Sequence, residues 1–166
     1  ISGCKAGEYL AIRTVIDNET VIRYYSPVSS PNDPYIDLLI KIDDKGGKMS
    51  WYFRDMKIGD TMEFKGPISG FQYSQNMVPE IGLIAGGAGI SPMLQIVREI
   101  TKETDDKTKI KMLYGSTSID EFAFKDELEH RQEKHSDQLQ VSYTVDWLAD
   151  EDKNKWSGNV GYISKE

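Results

Sequence analysis

The stretch Ile81-Gly82-Leu83-Ile84-Ala85-Gly86-Gly87-Ala88-Gly89-Ile90-Ser91-Pro92-Met93-Leu94 constrains the fold more than any other part of the chain. Its apolar run, Ile81 to Ala85, is short enough for a central strand and is cut off by two glycines. A helix is predicted to follow. Ser91 can cap it, Pro92 suits its first turn because no amide hydrogen is needed there, and Met93, Val97 and Ile100 recur at helical spacing. The amides at that helix start would face an anion approaching the glycines, which let backbone come close without a side chain in the way. Such a strand, glycine turn and helix serves either as a nucleotide cradle or as plain tight packing in an α/β domain. The strict Gly-x-Gly-x-x-Gly pattern is absent, because Pro92 stands where the third glycine would be.

The chain on either side of this stretch differs in rhythm. Tyr9 to Val15 reads as a strand, Asp17-Asn18-Glu19 as a turn, and Thr20 to Ser26 as the hairpin partner. After Pro27, Pro31 and Pro34, the alternation in Tyr35 to Ile42 predicts another strand, closed by Asp43-Asp44-Lys45-Gly46-Gly47. A short helix is expected over Ser50 to Met56 and a strand over Thr61 to Lys65, so residues 1–70 read as an antiparallel barrel or sandwich. From residue 80 strands and helices alternate: Ile81 to Ala85, helix Ser91 to Thr101, strand Lys109 to Tyr114, a helix from about Asp120 to Lys134, and strand Leu139 to Thr144. That pattern predicts a parallel sheet with crossover helices over 80–166, with a last strand expected at Val160 to Ser164. Residues 71–79 read as the linker, giving an α+β chain of two domains.

Composition narrows the function classes. At 166 residues with 39% hydrophobic content the chain can bury a real core. A net charge of −7 with no basic aromatic patch argues against nucleic acid as a partner. The lone Cys4 excludes an internal disulfide framework and points to a reducing, cytoplasmic setting. His130 and His135 sit in a charged segment that reads as a solvated helix face, so no metal site is expected. No apolar run reaches the roughly 18 residues of a membrane span. The start at Ile1, in sequence that looks mid-domain, reads as a fragment or a processed form.

Two further constellations carry chemistry. Arg23-Tyr24-Tyr25-Ser26 ends the second strand with a guanidinium, phenols and a hydroxyl, and alternation puts Arg23 and Tyr25 on one face. A bidentate cation suits a diphosphate and an aromatic suits a flat ring, although a strand end with exposed polar groups would look the same. Gly46-Gly47-Lys48-Met49-Ser50 is a second glycine turn opening a helix, where Ser50 serves either an anion or the helix cap.

Taken together and in this order, RYYSPVSS, GGKMSWYF with IGDTMEFKGP, and IAGGAGISPML resemble the motifs of the NADH-cytochrome b5 reductase branch of the ferredoxin-reductase-like flavoproteins. The resemblance spans nearly the whole chain. It implies an antiparallel FAD-binding β-barrel followed by an α/β parallel-sheet NAD-binding domain, both incomplete. By that resemblance Arg23 pairs with the FAD diphosphate, Tyr24 and Tyr25 belong to the flavin motif with Tyr25 against the ring and ribityl region, and Ser26 bonds near the nitrogen that accepts hydride. Gly47, Lys48, Met49 and Ser50 hold the diphosphate, and Lys41 reaches the cofactors, so that Ser26 and Lys41 stand nearest the chemistry. Gly86, Gly87 and Gly89 admit NADH, with Ser91 adding a hydroxyl. Asp146, at the end of the third parallel strand, matches an aspartate beside the adenosine ribose and selects NADH over NADPH by repelling a 2′-phosphate.

Departures from the family pattern are Ala88 in place of threonine, Ser91 in place of another threonine, and Asp43 where an aromatic is usual. The first barrel strands and the Cys-Gly-Pro segment lie outside the chain, and Cys4 is not that cysteine. The activity implied is hydride transfer from NADH to FAD and single-electron transfer to an acceptor, most often a haem protein, on a protein that is cytoplasmic or anchored at the cytosolic face of a membrane. A reductase module of a larger enzyme such as nitrate reductase, or a non-catalytic remnant that keeps the fold as an interaction domain, are the other readings.

Overall fold

In the computed structural model, residues 3–42, 47–102 and 105–164 are described. The chain opens with a hairpin, β1 (Tyr9–Ile16) and β2 (Glu19–Tyr25), turned at Asp17 and Asn18, which both take positive φ. Helix α1 (Lys48–Asp55) and strand β3 (Glu63–Ile68) follow. The three strands form an antiparallel sheet in the order β2-β1-β3. Inward-facing Ile12 and Val21 meet Met49 of α1, with Tyr25, Leu38, Tyr52 and Phe53 packed around them. This is the incomplete antiparallel FAD-type half expected from the sequence.

The second half is a parallel sheet in the order β4-β5-β6-β7: β4 (Glu80–Gly86), β5 (Lys109–Ser116), β6 (Leu139–Val145) and β7 (Asn159–Val160). Helices α2 (Ile90–Lys102) and α3 (Lys125–Lys134) are the crossovers. Because the strand order never reverses and such crossovers are right-handed, both helices lie on one face of the sheet. Burial alternates accordingly. Leu83, Ala85, Ile110 and Met112 face the helices and are buried, while Gly82, Ile84, Lys111 and Ser142 face away and are exposed. Ile90, Leu94, Val97 and Ile100 of α2 are completely buried against the sheet, each contributing about 1.5–3 kcal/mol of transfer free energy.

Three expectations need correction. Tyr35 to Ile42 is not a strand; Leu38 makes only a single bridge, to Pro27. The alternation is real but has another cause: Leu38 packs on the Ile12–Met49 core while the next residue, Leu39, packs on the core under the parallel sheet. The segment threads between two cores rather than along one sheet. Asp43 and Gly46 lie outside the described residues. Secondly, α3 begins at Lys125, not near Asp120. A 3-10 turn at Ile119–Glu121 and a left-handed Phe124 intervene, which lets Phe122 turn inward between Tyr114, Tyr143 and Trp156. Finally, Ser91 lies inside α2 and its hydroxyl donates to the Ala88 carbonyl at 3.2 Å, so it does not cap an amide. The expected linker is tethered: the Tyr73 hydroxyl donates to Asp106 at 2.7 Å.

Candidate functional site

The carboxyl ends of β4, β5 and β6 form one edge, with Gly86 opposite Gly115 and Ser116 opposite Val145. In open α/β sheets ligands bind outside this edge. The chain leaves β4 through a 3-10 turn, Gly87–Gly89, directly into α2. Gly87 needs to be glycine on backbone grounds, since its φ is +49°. Gly86 and Gly89 do not: their φ values are ordinary, and a Cβ added to either would meet no protein atom within 4 Å. The protein leaves open space over this backbone, which is what close approach of a dinucleotide requires. Below the turn, the fully buried Tyr114 directs its hydroxyl toward the carbonyls of Gly87 (3.4 Å) and Ala123 (3.3 Å). Burial pushes its phenol up to about 12, so it stays a neutral prop under the turn. Asp146 is half-buried at the end of β6, where its amide donates to the Ser116 carbonyl at 2.9 Å.

The second group of residues gathers on α1 and β2. Gly47 precedes α1 in extended conformation with no capping side chain, no acidic residue follows in the first turn, and a Cβ on Gly47 would meet nothing within 4 Å. The Ser50 amide donates to the Gly47 carbonyl at 2.9 Å, and the amides of Lys48 and Met49 ahead of it form the positive end of the helix, suited to an anion such as a diphosphate. Met49 contributes backbone only, because its side chain is buried in the core. The Lys48 ammonium is committed to Glu19 at 2.6 Å and lies 3.8 Å from Asp17, which raises its pKa. Ser50 donates its hydroxyl to the Lys41 carbonyl at 3.2 Å.

On the strand facing this helix, Tyr25 packs edge-to-face on Phe53 with centroids 5.5 Å apart. Burial raises the Tyr25 phenol above its ordinary range and the nearby Arg23 guanidinium pulls it partly back. Two apart on β2 and opposite Leu10 and Ile12 of β1, Tyr25 and Arg23 share one face as alternation predicts. Arg23 is exposed and donates to the Ile22 carbonyl at 2.8 Å. Tyr24 points the other way, exposed, with its ring edge-on to Tyr9. Ser26 is half-buried at the strand end.

Lys41 stands between the two groups. Its ammonium reaches Glu121, in the turn after β5, at 2.8 Å. Arg23, Tyr25, Ser26, Gly47 and Ser50 thus belong to the first half, Gly86, Gly87, Gly89 and Asp146 to the second, and Lys41 touches both, through Ser50 at its carbonyl and Glu121 at its ammonium. Sequence reasoning missed Tyr114, Glu121, Gln95 and Arg98. Gln95 had a signal, since it is a polar residue within the apolar stripe of α2. Glu121 had none, because its partner is 80 positions away.

Among the described residues no group of three or more His, Cys, Asp or Glu could hold a metal ion, and no helix is long and apolar enough to cross a membrane.

Known protein families resemble the chain in both halves. Residues 2–73 match the family described as oxidoreductase FAD-binding domain, and residues 83–166 match the oxidoreductase NAD-binding domain. Mouse NADH-cytochrome b5 reductase 2 is 35% identical over 191 residues, covering 100% of this chain and 68% of that protein. The plasma membrane-associated coenzyme Q6 reductase PGA3 of Saccharomyces cerevisiae is 41% identical over 164 residues, covering 97% of this chain and 50% of that protein. Among solved structures, the cytochrome b5 reductase domain of Ulva prolifera nitrate reductase superposes with a TM-score of 0.87 at 31% identity, covering 97% of this chain and 67% of that one. The chain spans about half the length of several curated relatives it matches. Two glycine turns that offer bare backbone, set on two differently built halves in the family's order, thus agree with the family matches, and the chain belongs to the NADH-cytochrome b5 reductase family of FAD- and NAD-binding oxidoreductases.

Proposed function

We propose that this chain is the core of a reductase that receives hydride from NADH and delivers electrons singly to a protein acceptor. The observation that supports the reading is a pair of bare backbone turns, an uncapped helix start beside Arg23 and Tyr25 in one half and an open glycine turn in the other, with Lys41 joining α1 to the turn after β5. FAD, when bound, supplies the hydride and one-electron chemistry. Arg23, the amides of Gly47, Lys48 and Met49 and the Ser50 hydroxyl neutralise its diphosphate, Tyr25 lies along the ring and ribityl side, and Ser26 donates a hydrogen bond at the reactive edge. Gly86 and Gly89 let the NADH backbone approach, and Ser91 and Lys41 border the nicotinamide. Asp146 accepts hydrogen bonds from the adenosine ribose and disfavours a 2′-phosphate. No general acid or nucleophile is required of the protein.

The acceptor follows from the relatives and not from this surface. Relatives named for cytochrome b5 favour a haem protein, while a yeast relative is named for coenzyme Q6. The net charge of −7 opposes an acidic cytochrome, so basic residues outside this surface would have to offset it. The proposed setting is the cytoplasm or the cytosolic face of a membrane. The nitrate reductase likeness supports a second reading, in which the same core works as a module of a larger enzyme.

The test is the visible spectrum of the purified full-length protein under anaerobic NADH. A flavin band that NADH bleaches faster than NADPH supports the reading. A colourless protein that takes up no added FAD shows a cofactor-free remnant.

A further inference from the structure

Resting on that reading, we propose that Gln95 and Arg98 are positioning residues that lock the flavin-side strand end to the nicotinamide-side helix, and so set the distance over which hydride moves. Both sit on α2, the helix that starts at the glycine turn, three positions apart and therefore on one face. Neither reaches its own domain's nucleotide edge. Both instead reach the backbone just after Ser26. The Gln95 side-chain amide donates to the Pro27 carbonyl at 2.6 Å, and its oxygen accepts from the Gly7 amide at 3.1 Å. Arg98 donates through Nη1 to the Val28 carbonyl.

These contacts are built to be stiff. Gln95 is 8% exposed and Pro27 is completely buried, so water cannot substitute for the bond between them. Arg98 is held from behind by Glu127, with Nε donating to Oε1 at 2.8 Å and Nη2 to Oε2 at 2.6 Å, while its guanidinium lies 5.6 Å from the Phe124 ring centre. Only a planar fork can hold Glu127 with one edge and a carbonyl with another. The side-chain amide of Gln95 has a donor and an acceptor on separate atoms, so it donates to one loop and accepts from the other. Val28 is pinned from its far side too, its amide donating to Asp37 at 2.8 Å. One rigid helix thus carries the glycine turn at its start and, a turn and a half later, grips the residues adjoining Tyr25 and Ser26.

The substitutions that test this are Gln95→Met, which keeps the volume and removes both bonds, and Arg98→Lys, which keeps the charge and removes the fork. In the FAD-loaded full-length protein, anaerobic stopped-flow flavin bleaching separates the limiting rate from the NADH concentration at half-saturation. Q95M is expected to retain FAD and bleach at least about tenfold more slowly, because a displacement near 1 Å suffices for that. Half-saturation stays within about twofold, since the glycine turn is untouched. Without NADH, amide exchange over residues 24–30 rises by about tenfold while α2 keeps its protection. R98K moves the same quantities in the same direction by a smaller factor.

A Q95M limiting rate within about twofold of wild type overturns the proposal, as does loss of FAD in step with the rate, or a half-saturation increase with the rate intact. A wild-type protein that NADH does not bleach overturns the reductase reading itself, before any variant is compared.

Discussion

Gly86→Ala separates a glycine kept for a ligand from one kept for the fold. Gly86 has φ −131° and ψ 126°, an extended conformation open to any residue. A Cβ there would meet no protein atom within 4 Å. Replacing a glycine with alanine at such a position removes conformational freedom from the unfolded chain and adds about 0.4–1 kcal/mol of stability. For a chain of this size that is a rise in Tm of roughly 1–4 °C. The same methyl projects about 1.5 Å into the space where a dinucleotide would contact backbone. If the ligand must stand off by that distance, NADH affinity falls about 10- to 100-fold, equivalent to about 1.4–2.8 kcal/mol.

Gly87→Ala is the contrasting control: at φ +49° the new side chain is strained, and stability falls by about 1–2 kcal/mol. The measurements are thermal melts of the NADH-free protein and NADH titration of the FAD-loaded protein. A G86A protein that is less stable than wild type, or that binds NADH as tightly, refutes the reasoning that open space over this turn is reserved for a nucleotide.

Asp146→Asn should raise NADPH use relative to NADH by about tenfold, the worth of removing one like charge near a phosphate in a partly solvated site; steady-state kcat/KM for both nucleotides measures it, and an unchanged ratio sinks the assignment. Glu127→Gln should cost about 2–3 kcal/mol in chemical denaturation at neutral pH, since Glu127 serves both Arg98 and Arg131 and is 27% exposed. Hydrogen bonding from Arg98, joined by Arg131, holds the Glu127 carboxyl below its ordinary 4.5, so its stabilisation is complete above 4.5 and fades as pH falls through the lower folded value. The gap between wild type and E127Q should close over that acidic range, and a gap independent of pH would contradict it. Leu94→Ala, at a position with no exposure, should cost about 2–5 kcal/mol by the cavity it leaves, read from urea midpoints.

Much of the fold was legible because its strongest signals are local. Ile81 to Ala85 reads as strand and Pro92 as first helical turn, and β4 and α2 follow with an error of one residue at each end, but the expected central, buried place is wrong: β4 is the sheet's edge strand and Ile84 is 64% exposed. Arg23 and Tyr25 were assigned to one face by strand period alone, and the register of β2 on β1 agrees. What failed was alternation without a sheet. Leu38 and Leu39 point to opposite cores, and period two says nothing of whether the opposite faces belong to one sheet or two domains. Gln95 and Arg98 escaped for a different reason: their partners are main-chain carbonyls of Pro27 and Val28, and every residue except for its side chain looks alike to a pattern reader. Lys41 was read as reaching the cofactors, and its partner Glu121 became visible only once the chain was folded.

The parallel sheet carries both crossover helices on one side, leaving Ile84 64% exposed beside Gly82, Leu113 and Ser142 on the other. Parallel sheets are ordinarily covered on both faces. Ile84 and the half-buried Leu113 make a short apolar strip there, flanked by Lys111 and Gln140, which a second molecule laid over it would shield. Such self-association would stabilise the folded state by mass action, so melting temperature would climb with protein concentration. The one-sided sheet thus ties the apparent stability of this chain to whatever covers its open face.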